Sequence, residues 1–167
     1  MATSKKIFFF GEDHLTAGLA LSLVRGTIIG QISEPARKKI RESHQTVLRI
    51  VEMGQPVYGI NTGFGPLCTT KISKTETKIL QNNILQSHSV GVGPPIETEM
   101  SKLMLVLKAH SLAKGFSGIA EATLDRIIWH IDNDAIPIVP SQGSVGASGD
   151  LAPLSHLFLP LVGLGKV

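Results

Sequence analysis

Apolar residues recur at the spacing of an α-helix along most of this chain, and glycine or proline ends the pattern at most boundaries. The pattern predicts long helices over residues 34–52, 74–89 and 99–114. Shorter helices are predicted to begin after Thr16, before Leu124 and at Leu151. Residues 6–10 predict a short β-strand near the N-terminus. The chain is therefore predicted to be mainly α, with glycine-rich loops between its helices.

The length and composition are those of one globular unit. The chain has 167 residues, of which 43% are hydrophobic and 17% are charged. A chain of this size can bury a core without a disulfide or a metal ion, and its composition is unlike that of disordered chains. Residues 1–167 are predicted to form a single segment without internal repeats. Because residues 161–167 add no completing element, we expect this segment to be truncated from a longer chain.

Charge and cysteine content limit the partners. The net charge is only +3, and the basic residues at 37–41 lie among Glu34 and Glu42 without aromatic residues that could stack on bases, so no nucleic-acid partner is predicted. No apolar run approaches the ~20 residues that span a bilayer, so no membrane partner is predicted. The single cysteine, Cys68, is typical of a reducing compartment, and a cytoplasmic location is predicted.

The loop GSVGASGD, residues 143–150, carries glycine at positions 143, 146 and 149. A dinucleotide-binding fingerprint needs a different glycine spacing, and a phosphate-binding P-loop needs a lysine that this loop lacks. A hydrolase nucleophile elbow needs a glycine two residues after its serine, where Asp150 stands. One remaining interpretation is that Ser148 or Asp150 caps the following helix while the glycines form a tight turn.

A second interpretation depends on the small size of these residues. If the amide nitrogen of Gly149 reaches the carbonyl carbon of Ala147, a five-membered ring closes, and the loss of two waters leaves a methylidene group at Ser148. A Cβ at position 149 would obstruct this approach, whereas glycine reaches unusual backbone dihedrals at little cost. The product would be an electrophile made from the backbone.

Three segments resemble one enzyme family. GSVGASGDLAPLSH, residues 143–156, is similar to the signature of the aromatic amino acid lyases, whose Ala-Ser-Gly triad becomes 4-methylideneimidazol-5-one (MIO). YGINTGFG, residues 58–65, resembles their tyrosine loop, and LKAHSLAKGFSG, residues 107–118, resembles their central helix and turn. The resemblance covers residues 10–167 and implies the helical N-terminal part of the lyase fold.

The resemblance also implies a mechanism. Ala147, Ser148 and Gly149 would form MIO autocatalytically, with no external cofactor, and an amino acid substrate would lose ammonia to give an α,β-unsaturated acid. Tyr58 matches the tyrosine that is usually assigned as the base for the β-proton. Considered without the motif, Tyr58 is better interpreted as a half-buried loop tyrosine.

His88 is the candidate substrate-binding residue. On pattern alone it is interpreted as a core histidine, because it follows Ile84 by one helical turn. In the family, however, Ser87-His88 occupies a pair that varies with the substrate, and Ser-His or Thr-His pairs accompany the histidine enzymes. The resemblance therefore implies that L-histidine is converted to urocanate. A tyrosine ammonia-lyase or an aminomutase stays the alternative.

Family members are homotetramers whose active sites combine several subunits and later segments of the chain. Residues 1–167 alone are therefore expected to be inactive. A second class of function stays open, in which the chain is a non-catalytic helical assembly module with an uncyclised triad. No metal site is predicted, because the other histidines are scattered and have no cysteine partner: His14, His44, His110, His130 and His156.

Overall fold

The computed structural model of the chain describes residues 5–63, 72–146 and 149–167. The chain is mainly helical, as predicted. The helices are α1 (Ala17–Val24), α2 (Glu34–Met53), α3 (Lys74–His88), α4 (Thr98–Leu112), α5 (Glu121–Asp132) and α6 (Leu151–Phe158), and a 3-10 turn follows at Leu159–Val162. The strands are β1 (Ile7–Phe9), β2 (Ile29–Gln31), β3 (Val92–Pro95) and β4 (Pro140–Gln142). Among the described residues, no helix has the length and apolar character needed to cross a membrane.

Side-chain caps explain where the first three helices begin. Thr16, Ser33 and Ser73 each precede a helix, and each accepts a hydrogen bond from the backbone N–H three residues further on. Such a bond satisfies one of the amides that the first helical turn leaves without a partner. At the other end of α2, Gly54 adopts a left-handed conformation, which terminates the helix.

The hydrophobic core forms around α4, which packs against α1 and α5. Burial is confined to one side of α4, since Met100 is 52% and Leu107 is 47% exposed. The sequence is apolar nearly all round this helix, which is typical of a helix buried on all sides, whereas the described residues leave the outer side of α4 exposed. The buried core residues come from several elements: Phe8, Phe10, Leu23, Val24, Ile40, Leu105, Val106, Ala109, Leu124, Ile127, Ile131, Val139 and Leu157.

A cluster of ion pairs holds α2 on α5. The guanidinium of Arg37 contacts Glu121 at 2.6 Å and Asp125 at 2.9 Å, and Arg41 reaches the second oxygen of Glu121 at 3.2 Å. These bonds raise the pKa of Arg37 and lower the pKa of Glu121. The Arg37 side chain is only 28% exposed, so this cluster is screened less than a surface pair.

Two strand pairs connect distant parts of the chain. β1 and β2 are parallel, with Ile7 opposite Ile29. β3 and β4 are antiparallel, with Val92 opposite Gln142. The N-terminal strand was predicted, but β2, β3 and β4 were not. The β3–β4 pair joins the chain just after α3 to the chain just before the glycine-rich loop, and it thereby positions the candidate site.

Candidate active site

The glycine-rich loop lies between β4 and α6. Ala147 and Ser148 fall outside the described residues, whereas Gly149 is described and exposed. Gly149 has φ +101°, a region in which a side chain is strained, and a Cβ built there would meet no atom of the described residues beyond its chain neighbours within 4 Å. Its carbonyl oxygen accepts the N–H of Leu151 at 3.0 Å. The backbone conformation therefore favours glycine at 149.

Asp150 stands at the N-cap position of α6, but its carboxylate makes no capping bond to the helix. Its Oδ1 accepts the hydroxyl hydrogen of Ser144 instead. The helix-cap interpretation is thus confirmed for the position of Asp150 and wrong for its side chain. The Ser144–Asp150 bond spans residues 147–148 and draws the two ends of the loop together.

His88 is the last residue of α3, and its hydrogen bonds fix its tautomer. Nδ1 lies 2.9 Å from the carbonyl oxygen of Ile84 and 3.0 Å from Oγ of Ser87. A carbonyl oxygen can only accept, so Nδ1 carries the proton, and Nε2 of the neutral ring is an acceptor. The imidazole is partly exposed rather than fully buried. His88 therefore presents a hydrogen-bond acceptor at the end of α3.

The segment after His88 is tied to both flanks of the triad. The N–H of Gly91 donates to Nε2 of His156 in α6 at 3.0 Å. Val92 pairs with Gln142, which comes directly before the glycine-rich loop. Helices α3 and α6 also pack against each other. The structure thus brings the His88 end of α3 close to the residues on either side of 147–148.

A close backbone approach accompanies this contact. A Cβ built on Gly143, whose φ is +138°, would lie 2.9 Å from Cα of Gly91. Real Cβ atoms essentially never come so near, so a side chain at 143 would push the two segments apart. The close packing of these two segments, and not the turn alone, explains why glycine occupies position 143.

Tyr58 lies in a turn after α2, and its side chain is 64% exposed. The interpretation of Tyr58 as a half-buried loop residue is therefore wrong for this structure. The turn is held by Asn61, which is only 2% exposed: its Oδ1 accepts the N–H of Val57 at 2.7 Å, and its Nδ2 donates to the carbonyl of Gln55 at 2.8 Å. Asn61 acts here as a brace for the Tyr58 turn.

Tyr58 and His88 are associated with opposite ends of α3. The carbonyl oxygen of Asn61 accepts the N–H of Ile72 at 2.9 Å, two residues before α3 begins. His88 ends the same helix, and 15 helical residues extend about 21 Å. The His88 end of α3 thus lies near α6 and the glycine-rich loop. The Tyr58 turn is attached near the opposite end of α3.

A groove of about 490 Å³ lies beside the loop. Its polar members include Lys108, Ser144 and Asp150, and apolar residues form most of its wall: Ile96, Met104, Leu107, Val139, Pro153 and Leu154. Among the residues that the structure describes, no group of three or more His, Cys, Asp or Glu could hold a metal ion. Cys68 lies outside the described residues.

Two structurally important residues were missed by sequence reasoning. His156 ends the GSVGASGDLAPLSH motif, but it was grouped with the scattered histidines. Asn61 lies in the tyrosine loop, where asparagine's habit of bonding to nearby backbone was the available signal. Nothing in the local sequence pointed to the pairing of His156 with Gly91, because 65 residues separate them.

The chain also matches a family model and several known proteins. The family model described as aromatic amino acid lyase matches residues 15–167. A curated histidine ammonia-lyase from Alkaliphilus oremlandii is 43% identical over 162 residues, which are 97% of this chain and 32% of that relative.

Two solved structures are also similar. Histidine ammonia-lyase from Trypanosoma cruzi superposes with a TM-score of 0.84 at 35% identity, covering 96% of this chain and 31% of that one. Tyrosine aminomutase from Streptomyces globisporus superposes with a TM-score of 0.88 at 28% identity, covering 97% and 30%. The chain spans less than a third of the length of each of these three proteins. The family match extends over most of the chain, and the chain belongs to the aromatic amino acid lyase family.

Proposed function

We propose that residues 1–167 form the N-terminal segment of a histidine ammonia-lyase, which converts L-histidine to urocanate and ammonia. The observation that carries the substrate is the 2.9 Å contact between Nδ1 of His88 and the carbonyl oxygen of Ile84, which leaves Nε2 as an acceptor in the neutral ring. The identity of 43% to a histidine ammonia-lyase over 97% of the chain supports the same assignment. The full-length protein is a chain that extends these residues to the length of such relatives.

The electrophile is proposed to be MIO, made from Ala147, Ser148 and Gly149 without an external cofactor. The described part of the loop fits this group, since Gly149 has a positive φ that favours glycine. The Ser144–Asp150 bond draws together the residues that flank the triad. When formed, the ring supplies an electrophile that turns the substrate's amino group into a leaving group.

His88 is proposed to bind the substrate side chain. Because Nδ1–H is committed to the Ile84 carbonyl, Nε2 can accept a hydrogen bond from an N–H of the substrate imidazole. A site built around such an acceptor rejects substrates that lack the donor, because the acceptor would then be buried without a partner. Phenylalanine carries no side-chain donor and is expected to be a poor substrate.

Tyr58 is proposed to remove the β-proton. The C–H electrons then form the double bond as the Cα–N bond breaks, and ammonia leaves. The Tyr58 turn is anchored at the far end of α3 from His88. This separation supports an active site completed by later chain segments and by other subunits of a homotetramer, so residues 1–167 alone are expected to be inactive.

A tyrosine ammonia-lyase or aminomutase is the second candidate. A phenol O–H is also a donor and can bond to Nε2 of His88, and the structure of a tyrosine aminomutase superposes closely. A small-molecule amino acid in the cytoplasm is the proposed partner in either case, with no nucleic acid or membrane. The candidate of another class is a non-catalytic assembly module in which Ala147-Ser148-Gly149 stays uncyclised.

Intact mass separates the enzyme from the module. The full-length protein is expected to weigh two waters less than its sequence mass, whereas Ser148→Ala cannot form the methylidene group. Both proteins are then incubated with histidine. Urocanate from the wild type and none from Ser148→Ala supports the lyase. An unchanged mass together with no urocanate would refute it.

A further inference from the structure

The hydrogen bond between Gly91 and His156 joins the segment that follows α3 to α6. The proposed mechanism needs these two segments in a fixed relative position. Gly91 lies three residues after His88, and His156 lies seven residues after Gly149. The Gly91 N–H reaches Nε2 of His156 at 3.0 Å. This bond directly connects the substrate-binding end of α3 with the helix that follows the triad.

His156 is suited to accept this bond in its neutral form. The side chain is half-buried in α6, and burial lowers the pKa of its imidazole. A neutral imidazole offers one acceptor nitrogen, and the Gly91 N–H occupies Nε2. A protonated imidazole would present N–H groups at both positions and would lose the bond.

The surrounding backbone leaves little freedom at this contact. A Cβ on Gly91 would lie 3.1 Å from Nε2 of His156 and 3.1 Å from the carbonyl oxygen of Gln142. On the other side, Gly143 approaches so closely that its Cβ would meet Gly91. Gly91 is thus enclosed by β4, by the start of the glycine-rich loop and by α6.

We propose that His156 is a positioning residue, which holds the His88 end of α3 beside α6, the helix that follows the triad, by accepting the Gly91 N–H. It acts through His88 and is not itself assigned contact with substrate. This inference rests on the proposed function, since it assigns a role in the same site. Its expected consequence is that removal of the acceptor weakens histidine turnover only while His88 is present.

The test uses two variants of His156 in the full-length protein. His156→Gln places an amide oxygen near the position of Nε2 and keeps an acceptor, whereas His156→Leu fills similar space without one. His156→Leu is expected to lower kcat/KM for histidine about tenfold, which corresponds to one lost hydrogen bond of about 1.4 kcal/mol. His156→Gln is expected to stay within about threefold of wild type.

A double-mutant cycle with His88→Leu distinguishes positioning from general damage. If His156 acts through His88, then His156→Leu has little further effect once His88 is gone. Equal losses in both backgrounds would overturn the proposal, as would a folded His156→Gln protein as impaired as His156→Leu.

A readout without activity separates this inference from the proposed function. The Gly91 amide is expected to exchange slowly in wild type and His156→Gln and rapidly in His156→Leu, with a shift of the His88 ring resonances in the leucine variant. If the wild type made no urocanate but His156→Leu still showed faster Gly91 exchange and shifted His88 resonances, the histidine assignment would be wrong and the positioning role would be supported. Fast Gly91 exchange in wild type, or unmoved His88 resonances, would overturn the positioning role itself.

Discussion

The N–H of Gly11 donates to Nδ1 of His110 across 3.2 Å, and this bond fastens the turn after β1 to α4. The ring of His110 also lies against Phe8, with 5.7 Å between ring centroids. Burial is the main cause that lowers the pKa of His110; Lys114 and His14 lower it further, and Asp13 opposes them. The folded chain therefore favours the neutral form of the His110 imidazole.

Because the fold favours neutral His110, the chain is predicted to lose unfolding free energy in mild acid. Because the pKa of His110 is lower in the folded chain, the unfolded chain binds a proton more readily between that value and the ordinary value of 6.5. The stabilisation is fully present above pH 6.5 and is lost as the pH falls through this window. Denaturant unfolding at about pH 7.5 and about pH 5 measures the change.

His110→Asn provides the control for this prediction. The amide oxygen of asparagine can replace Nδ1 as the acceptor, and the side chain does not titrate. The variant should lose less unfolding free energy than wild type between the two pH values. Identical losses in the two proteins would show that His110 does not contribute to the pH dependence.

Gly143→Ala and Gly146→Ala form a matched pair that tests the close approach of two segments. Both glycines have positive φ, but a Cβ at 143 would meet Gly91, whereas a Cβ at 146 would meet no atom of the described residues within 4 Å. Gly146→Ala is expected to cost about 1 kcal/mol from backbone strain, and Gly143→Ala about 1–3 kcal/mol more because of the clash. Equal unfolding free energies for the two variants would contradict the approach of Gly143 to Gly91.

Asn61→Ala tests the brace behind the Tyr58 turn. Loss of the amide leaves the Val57 N–H and the Gln55 carbonyl without this partner, and the expected cost is about 2 kcal/mol of unfolding free energy. Tyr58 is the one tyrosine in the sequence, so its ring resonances report the turn directly in the 167-residue chain. Those resonances should shift in Asn61→Ala.

Asn133→Ala is the matched control for Asn61. Asn133 also donates its amide to a backbone carbonyl, that of Trp129 at 2.8 Å, but at an exposed site. Its removal should cost less than about 0.5 kcal/mol and leave the Tyr58 resonances unchanged. A similar effect of both substitutions would show that Asn61 has no special role.

Within the Ser87-His88 pair, His88 is predicted to bind the substrate side chain. His88→Leu removes the Nε2 acceptor and should lower kcat/KM for histidine about 10- to 100-fold in the full-length protein. Ser87→Ala leaves the Ile84 carbonyl to hold Nδ1–H, so its effect should stay within about threefold. Steady-state kinetics on histidine check both values, and a larger loss in Ser87→Ala than in His88→Leu would reverse the assignment.

Local signals in the sequence predicted the helices well. Thr16 begins α1 as expected, and α2 and α3 end within one residue of their predicted ends. Apolar spacing and polar caps act over three to four residues, so one sequence contains the information needed to locate them. The strands β2, β3 and β4 were missed because each has only three or four residues and depends on a partner far along the chain.

The family resemblance predicts a set of site residues but not their arrangement. Tyr58, His88 and Gly149 followed from the family resemblance. The Gly91–His156 bond and the approach of Gly143 to Gly91 depend on the packing of α6 against α3 and on the β3–β4 pair. These two contacts connect segments more than 50 residues apart, and no local spacing of residues in the sequence predicts them.

Histidine ammonia-lyase activity is tested most directly by a parallel assay of the full-length protein with histidine, tyrosine and phenylalanine, followed by absorbance of the unsaturated product. We expect urocanate from histidine at the highest kcat/KM of the three, and no product from residues 1–167 alone. Failure to form urocanate, or faster formation of the hydroxycinnamate product from tyrosine, would contradict this assignment.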